Sequence, residues 1–351
     1  MTEVPTVEMR LGYAASRLIR GGWQLAGGHG AVETARAAED MVAFYDAGIT
    51  TFDCADIYTG VEEIYGEGLR LLANQRGAEA AAQVKIHTKY VPDYDSLAEL
   101  SPADVRRIIT RSCARLGRER LDLVQFYWWN PEMPGVEKMA GYLATLQSEG
   151  QIDRIGVTNF DEARMAQVSG ALDLMSNQVQ FSLLDRRPKG AFAEWCRAND
   201  VSIIAFGVLA GGFLTDHWLG QPDPGFEFEN RSLIKYRLII EEFGGWDAFQ
   251  VLLGTLRNIA DRRGGDIAAI ATRAMLDDPD VAACIIGARY ARHLPRLLAA
   301  LEVDLDDADR AEIEALQTAA PGPSGPVYGL ERDKTGAHGR IMKYNLNEGA
   351  A

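Results

Sequence analysis

The feature that most constrains the fold is a repeated unit: a short β-branched run, a polar loop and then a segment with apolar residues at helical spacing. Eight strand-like runs occur, and most begin 23 to 37 residues after the previous one, about the length of one strand–helix unit. Eight such units predict an α/β fold, a (β/α)8 TIM barrel of parallel strands. The predicted strands are residues 17–20, 50–53, 84–88, 121–127, 154–157, 177–180, 201–206 and 282–286.

The helical segments between these strands carry recognisable ends. Residues 32–47 are followed by Gly48, a common helix stop, and Ser101 before Pro102 and Asp104 is a typical helix start. That second helix is expected to end near Leu116. The other predicted helices are residues 139–148, 192–199, 249–263, 266–276, 293–301 and 306–318.

We expect a single domain, residues 1–351, with the barrel over about residues 17–318. A long loop follows the seventh strand: about 75 residues separate Phe206 from Ala282, with a Gly/Pro-rich stretch at 220–226. Loops of this length are usually functional, for example as lids. Residues 6–13 are expected to form a hairpin at the barrel floor. The C-terminal tail, 319–351, is expected to be irregular, and either packs over the site or forms an oligomer contact.

The charge balance excludes several classes of partner. Lys and Arg number 36 and Asp and Glu 50, so the net charge is −14. Nucleic acids and anionic membranes require a basic surface, and neither partner is expected. No apolar run approaches the roughly 20 residues of a membrane span. The first residues do not resemble a secretory signal and the four cysteines are far apart, so we expect reduced thiols and a cytoplasmic protein.

Chemically distinctive side chains follow the carboxyl ends of the predicted strands, where barrel enzymes carry their active sites. No His, Cys and Asp cluster has the spacing of metal ligands, so no metal is expected. In strand order, the candidates are Asp53 and Tyr58, Lys89, Tyr127, Thr158 and Asn159, Gln178, Phe206, and finally Gly287 and Arg289.

With these motifs in this order, the chain resembles the aldo-keto reductase family over roughly residues 17–316. The resemblance rests on TFDCADIY with Asp53 and Tyr58, on KIHTKY ending near Lys89, and on the segments GVTNF and AFGVLAGGFLT. It implies an oxidoreductase that transfers a hydride between NADP(H) and a small carbonyl or alcohol, such as an aldehyde, a ketone or a sugar-like compound.

The resemblance also implies roles for the catalytic residues. Tyr58 would be the general acid or base, Lys89 would lower its pKa, and Asp53 would pair with Lys89. The alternative is an ordinary interior ion pair beside a hydrogen-bonded tyrosine.

Tyr127 is the main departure from the family pattern. The family has His in LDLxxxHW, whereas this chain has LDLVQFYW. Tyr127 could replace that His as a hydrogen-bond donor to the carbonyl, or reshape the pocket for another substrate or reaction direction. It could instead mark a cofactor-binding regulatory or interaction protein with little turnover. We favour the first two interpretations together because Asp53, Tyr58 and Lys89 are all present.

Cofactor residues are carried over position by position from the same resemblance. The amides and hydroxyl of Thr158, Asn159 and Gln178 would hold the nicotinamide carboxamide, and Phe206 would stack on its ring. Leu297 stands where the family often has an Asn on adenine, so NAD(H) stays a second candidate. The remaining predicted cofactor residues are Gly207, Leu209 and Gly211 along the pyrophosphate, Gly287, Arg289 and His293 at the adenosine phosphate, and Gly22, Trp23 and Asp53.

Trp23 and Trp128 are candidate walls of the substrate pocket. Aromatic side chains commonly line pocket mouths, although Trp is equally often a large core residue. A homo-oligomer is possible.

Overall fold

Eight parallel strands close into a barrel in a computed structural model that describes residues 3–26, 30 and 32–347. Each strand pairs with its neighbours in sequence, and the last pairs with the first, Gly287 opposite Gly21. The predicted barrel is therefore confirmed, each strand within a few residues. A hairpin of β1 (Thr6–Met9) and β2 (Tyr13–Ser16) precedes the barrel strands β3 (Leu18–Gly21), β4 (Thr51–Asp53), β5 (Lys85–Tyr90), β6 (Leu121–Phe126), β7 (Ile152–Thr158), β8 (Leu174–Gln180), β9 (Ser202–Phe206) and β10 (Val281–Gly287).

Helices surround the barrel and connect its strands. The predicted start at Ser101 is a capping box with Asp104, and Gly48 and Gly117 take positive φ where their helices end. The helices are α1 (Thr34–Asp46), α2 (Val61–Arg76), α3 (Ala78–Gln83), α4 (Pro102–Leu116), α5 (Val136–Ser148), α6 (Glu162–Val168), α7 (Ala191–Ala198), α8 (Arg231–Phe243), α9 (Gly245–Arg263), α10 (Ile267–Asp277), α11 (Leu294–Ala299), α12 (Asp307–Ala319), α13 (Gly329–Arg332) and α14 (Ala337–Arg340).

Helix α2 was not predicted from the sequence, and its interior glycines explain why. Glycine lowers helix propensity, which weakens the helical pattern. Both glycines are required by packing: a Cβ on Gly66 would lie 2.2 Å from the carbonyl oxygen of Arg115, and one on Gly68 would lie 2.4 Å from Sδ of Met41. Tertiary contact therefore selects residues that local propensity disfavours.

The β1–β2 hairpin closes the amino-terminal end of the barrel, as predicted, although it extends to Ser16. Met9, Tyr13 and Ala15 pack in one buried cluster with the inward-facing Ile19 and Leu123. The barrel interior is thus filled at this end, and the candidate site residues lie at the other.

The predicted long loop and tail contain regular structure. Helix α8 lies inside the loop, followed by α9 and α10, and the tail forms the single-turn helices α13 and α14. The tail packs on its own barrel: Glu331 forms a buried ion pair with Arg187, and Tyr344 accepts a backbone hydrogen bond from Tyr94. Within the described ranges, no helix is both long and apolar enough to cross a bilayer.

Candidate active site

A buried ion pair lies where β4 and β5 end. The Nζ of Lys89 donates to both carboxylate oxygens of Asp53, at 2.7 and 2.9 Å, and to the carbonyl oxygen of Cys54 at 2.8 Å. Both side chains are about 5% exposed. Burial lowers the pKa of Lys89, but the Asp53 carboxylate outweighs this and the net shift is upward. Lys89 therefore stays charged, with all three of its donors used.

Two glutamine amides complete the surroundings of Asp53. Gln178 Nε2 on β8 donates to Asp53 Oδ1 at 2.6 Å, and Gln125 Nε2 on β6 donates to the same oxygen at 3.4 Å. Gln125 was missed in the sequence. The alternation of side chains along a strand could have identified it, because Gln125 lies two residues after Leu123, which points into the barrel, and so points the same way. These amides satisfy acceptor sites that Lys89 leaves open.

Tyr58 follows β4 and lies beside this ion pair. Its ring centroid is 5.0 Å from Nζ of Lys89 and 4.9 Å from the ring of Trp23. Burial raises the pKa of Tyr58 to about 12, and the Lys89 charge opposes the shift. The sequence predicted a lowered pKa. Lys89 does act in that direction, but desolvation of the phenol is the larger effect, so Tyr58 is held protonated in the structure.

Tyr127 follows β6 on the same side of the barrel. Its backbone N–H donates to Tyr90 O at 3.0 Å, and its side chain is 4% exposed. Its ring meets the rings of Trp129 and Tyr328 edge-on, at 4.8 and 6.1 Å. Burial raises the pKa of Tyr127, and the neighbouring Arg332 opposes the rise. The tyrosine at the position of the family His therefore contacts both a residue that follows β6 and residues of the tail.

The predicted nicotinamide residues form one hydrogen-bonded group at the ends of β7 and β8. Thr158 Oγ1 and the N–H of Asn159 both donate to the carbonyl oxygen of Gln178, at 3.0 and 2.9 Å. Asn159 has φ +58, in the left-handed region. Its side-chain Oδ1 is buried and accepts no hydrogen bond from the described residues. Such an unfilled acceptor fits a ligand amide.

The glycine loop after β9 adopts backbone that favours glycine. Gly207 has φ +74 and Gly211 has φ +66, and Leu209 between them is half-buried. Tyr236 of α8 covers both glycines: a Cβ on Gly207 would lie 2.7 Å from its hydroxyl oxygen, and one on Gly211 2.6 Å from its Cδ2. A pyrophosphate lying along this loop requires the Tyr236 ring to turn away.

Helix α8 also reaches the neighbouring residues of the mouth. Trp23 Nε1 donates to Ser232 Oγ at 2.8 Å. The Nζ of Lys235 lies 4.8 Å from the ring centroid of Phe206, where the nicotinamide is predicted to stack. Burial lowers the pKa of Lys235 to about 8. Helix α8 thus contacts Trp23 and Phe206, and a lid formed by the long loop stays a prediction.

The predicted adenosine-phosphate residues lie after β10. The Nη2 of Arg289 donates to Gly30 O at 2.9 Å, and its guanidinium lies 5.2 Å from the ring centroid of Tyr290. His293 is exposed, and desolvation and the charge of Arg292 lower its pKa. A Cβ on Gly287 would lie 2.2 Å from Nε2 of Gln24, so this glycine serves packing.

Of the two predicted pocket walls, only Trp23 lies at the mouth. Trp128 is 1% exposed, packs against Phe126 and donates from Nε1 to Met133 O at 3.2 Å. It is a core residue, because alternate residues at this strand end face opposite ways and Tyr127 takes the inward position. The next residue, Trp129, packs against the ring of Tyr127.

Gly22 marks a close approach between β3 and β4. Its N–H donates to Asp53 O at 2.8 Å, and a Cβ at Gly22 would lie 2.5 Å from that same oxygen. We expect Gly22→Ala to lower the free energy of unfolding by about 1–3 kcal/mol through overpacking. Gly141→Ala in α5, where a Cβ meets nothing within 4 Å, is the control and is expected to stabilise by about 0.5–1 kcal/mol. Urea unfolding measures both, and equal effects would contradict the packing argument.

The described residues contain no group of three His, Cys, Asp or Glu side chains that could hold a metal ion. The chemically distinctive groups at the carboxyl end of the barrel include Asp53, Lys89, Tyr58, Tyr127, Asn159 and Gln178.

Comparison with known families gives one extensive match. Residues 17–318 match the model described as the aldo/keto reductase family. Among similar proteins, the aldo-keto reductase YhdN of Bacillus subtilis (strain 168) is 26% identical over 325 residues, covering 90% of this chain and 95% of that protein. The NADH-specific methylglyoxal reductase of Escherichia coli (strain K12) is 25% identical over 328 residues, covering 86% and 96%.

Solved structures show the same fold. The glycerol dehydrogenase AKR11B4 from Gluconobacter oxydans superimposes with a TM-score of 0.74 at 22% identity, covering 92% of this chain and 98% of that one. An aldo/keto reductase from Klebsiella pneumoniae, in complex with NADP and acetate, superimposes with a TM-score of 0.66 at 23% identity, covering 92% and 97%.

Proposed function

Since the chain belongs to the aldo/keto reductase family, we propose that it transfers a hydride between NADP(H) and a small carbonyl or alcohol substrate, with Tyr58 as the general acid or base. The observation that carries the proposal is the buried Lys89–Asp53 pair with the ring of Tyr58 5.0 Å from the ammonium. An ion pair that only stabilised the interior would not require a tyrosine beside it at the carboxyl end of the barrel. Perturbed titratable groups in such a position are typical of active sites.

The protein residues handle the proton. Reduction of a carbonyl develops negative charge on its oxygen, and Tyr58, protonated because its pKa is near 12, donates a proton to that oxygen. Lys89 stabilises the phenolate that remains, because its charge favours the ionised form. Asp53 fixes Lys89 in place and keeps it charged. Tyr127 would donate a hydrogen bond to the carbonyl in place of the family His.

The residues present fit a nicotinamide cofactor, which supplies or accepts the hydride when it is bound. The unfilled Asn159 Oδ1 can accept from the carboxamide, and Thr158 and Gln178 lie in the same hydrogen-bonded group. Phe206 offers an apolar ring for stacking. The loop of Gly207 and Gly211 is proposed to follow the pyrophosphate once the Tyr236 ring, which covers both glycines, has moved.

Arg289 is proposed to select NADP(H) over NAD(H) by binding the 2′-phosphate. We expect Arg289→Met to raise the Kd for NADPH by about tenfold or more, the effect of losing a charge-assisted hydrogen bond. The Kd for NADH, which lacks this phosphate, should change little. Titration of tryptophan fluorescence with each cofactor measures both constants. Parallel weakening of the two would show that Arg289 acts through structure and not through the phosphate.

The substrate is proposed to be a small, oxygenated carbonyl compound or alcohol. One relative is named for methylglyoxal and one structural neighbour for glycerol. A panel of aldehydes, ketones and polyols, assayed with NADPH and NADP⁺ in the two directions, tests this proposal. Loss of absorbance at the reduced-cofactor band with any carbonyl supports an enzyme.

The second candidate is a cofactor-binding regulatory or interaction protein of the same fold, which the tyrosine at position 127 keeps open. It predicts that NADPH binds with ordinary affinity while no compound of the panel is turned over. That combination of results would replace the enzyme proposal.

A further inference from the structure

We propose that Arg332, in the C-terminal tail, is a positioning residue of the active site: it holds the backbone of Asn159 for the nicotinamide and polarises the hydroxyl of Tyr127. The inference rests on the proposed function, since it assigns a role to a residue outside the barrel in that same site. On this proposal the C-terminal tail positions residues of the active site in addition to lying over it.

The tail is fixed to the barrel by a buried chain of charged groups. Glu331 and Arg187 pair through two hydrogen bonds of 2.9 Å each, and Arg187 pairs in the same bidentate way with Asp185. These three side chains are at most 2% exposed. Asp185 also accepts from Gln180 Nε2 of β8, at 2.7 Å. Bidentate charged pairs fix geometry tightly, so the residue after Glu331 has a defined position over the site.

From this anchor, Arg332 reaches the end of β7. Its Nη2 donates to the carbonyl oxygen of Asn159, and its Nη1 donates to the Val327 carbonyl at 3.3 Å. No carboxylate among the described residues lies within 4 Å of this guanidinium, whereas most arginines in those ranges pair with an acid. The donors of Arg332 are therefore directed to backbone at the site.

Asn159 is a residue whose conformation needs such support. Its φ of +58 is uncommon for a residue other than glycine and persists where neighbouring contacts enforce it. The donation from Arg332 to the Asn159 carbonyl, and that from the Asn159 N–H to Gln178, hold the peptide groups on its two sides. Their combined effect is to fix where the free Oδ1 points.

The same guanidinium lies 5.7 Å from the ring centroid of Tyr328, and that ring meets the ring of Tyr127 edge-on at 6.1 Å. The Tyr127 hydroxyl oxygen and Nε of Arg332 are both buried, and neither has a well-formed hydrogen bond to the described part of the chain. The other ionisable groups around Tyr127 are Glu331, Tyr344 and Tyr328, of which only Glu331 is charged at neutral pH. A cation next to a phenol makes it a stronger donor, as a Tyr replacing a His requires.

The test compares Arg332→Gln and Arg332→Lys with Arg340→Gln, an exposed arginine of the same tail. Cofactor affinity is measured by tryptophan quenching with NADPH, and kcat is measured against pH with the best carbonyl of the panel. Arg332→Gln is expected to raise the Kd by about tenfold, the effect of one lost hydrogen bond. It should also lower kcat at neutral pH, because the Tyr127 hydroxyl becomes a weaker donor, and leave in place the alkaline limb of the profile, which reports the proton of Tyr58. Melting temperatures establish that each variant is folded.

Arg332→Lys separates the two roles because it keeps the charge but lacks the fork that spans two carbonyls. It should restore kcat at neutral pH while leaving much of the loss in affinity. The inference is overturned if Arg332→Gln, folded as the wild type, keeps both its Kd and its kcat, or if Arg340→Gln shows the same losses. A wild type without turnover that binds NADPH refutes the proposed function alone, since the affinity measurements still decide the role of Arg332. A wild type that binds neither NADPH nor NADH refutes both.

Discussion

Tyr58→Phe is expected to lower kcat for carbonyl reduction by about 10²–10⁴-fold, the usual contribution of a positioned general acid. The substitution removes one hydroxyl and leaves the ring that packs on Trp23 and Lys89. The Kd for NADPH and the melting temperature should therefore stay close to those of the wild type. Single-turnover assays and fluorescence titration measure these effects.

A second tyrosine provides the control for this experiment. Tyr45 on α1 donates from its hydroxyl to Gln83 at the surface, away from the strand ends. Tyr45→Phe removes the same atom and should leave turnover unchanged. If Tyr58→Phe kept substantial activity, another group would have to supply the proton and the assignment of Tyr58 would be wrong.

Lys89→Met is expected to lower the free energy of unfolding by about 3–5 kcal/mol, because it leaves the carboxylate of Asp53 buried without its counterion. Activity should also fall steeply, since the phenolate of Tyr58 loses its neighbouring charge. The double variant Asp53→Asn with Lys89→Met removes both charges. It should recover much of the stability and none of the activity. Urea unfolding followed by kinetics separates these two outcomes.

Lys85 on the same strand is the matched control for Lys89. Its ammonium is 3.7 Å from Asp122 and its side chain is 30% exposed. Lys85→Met should cost no more than about 1 kcal/mol, because Asp122 keeps Arg118 and the N–H of Ile86 as partners. Comparable losses at positions 85 and 89 would mean that burial does not set the strength of the Lys89–Asp53 pair.

The Lys89–Asp53 pair also predicts how stability depends on pH. Folding raises the pKa of Lys89 above its ordinary value of 10.5, so the folded state binds this proton more tightly than the unfolded state. The contribution of the pair is therefore complete at neutral pH and is lost as the pH rises through the raised pKa. Wild-type and Lys89→Met proteins should accordingly converge in stability at strongly alkaline pH.

Local pattern was sufficient to locate the barrel and to bring Asp53 and Lys89 to one end of it, whereas their pairing was implied by the family resemblance. Parallel strands end at the same edge, so residues that follow consecutive strands must meet, and Asp53 and Lys89 do. The cap at Ser101 was legible for a similar reason, since it depends on four adjacent residues. Features encoded within one strand–helix unit, or between neighbouring units, could be predicted from the sequence.

Features that join distant segments could not. Gln178 reaches Asp53 across 125 positions of sequence, and Arg332 reaches Asn159 across 173. Helix α2 contains glycines that only its packing partners explain. The pKa of Tyr58 was misjudged because the effect of Lys89 was evident from spacing, whereas the desolvation of the phenol depends on the whole enclosure.

The buried pairing of Arg187 with Glu331 has a consequence for protein synthesis. The ribosome synthesises the protein from its amino terminus, so the barrel can close only after β10, the partner of β3, has been made. Arg187 can pair with Glu331 only later, once the tail has also been made. Until then Arg187 has only Asp185 as its charged partner. A nascent protein with a complete barrel therefore still lacks the ion pair between Arg187 and Glu331. Its folding is complete only after the tail has been translated.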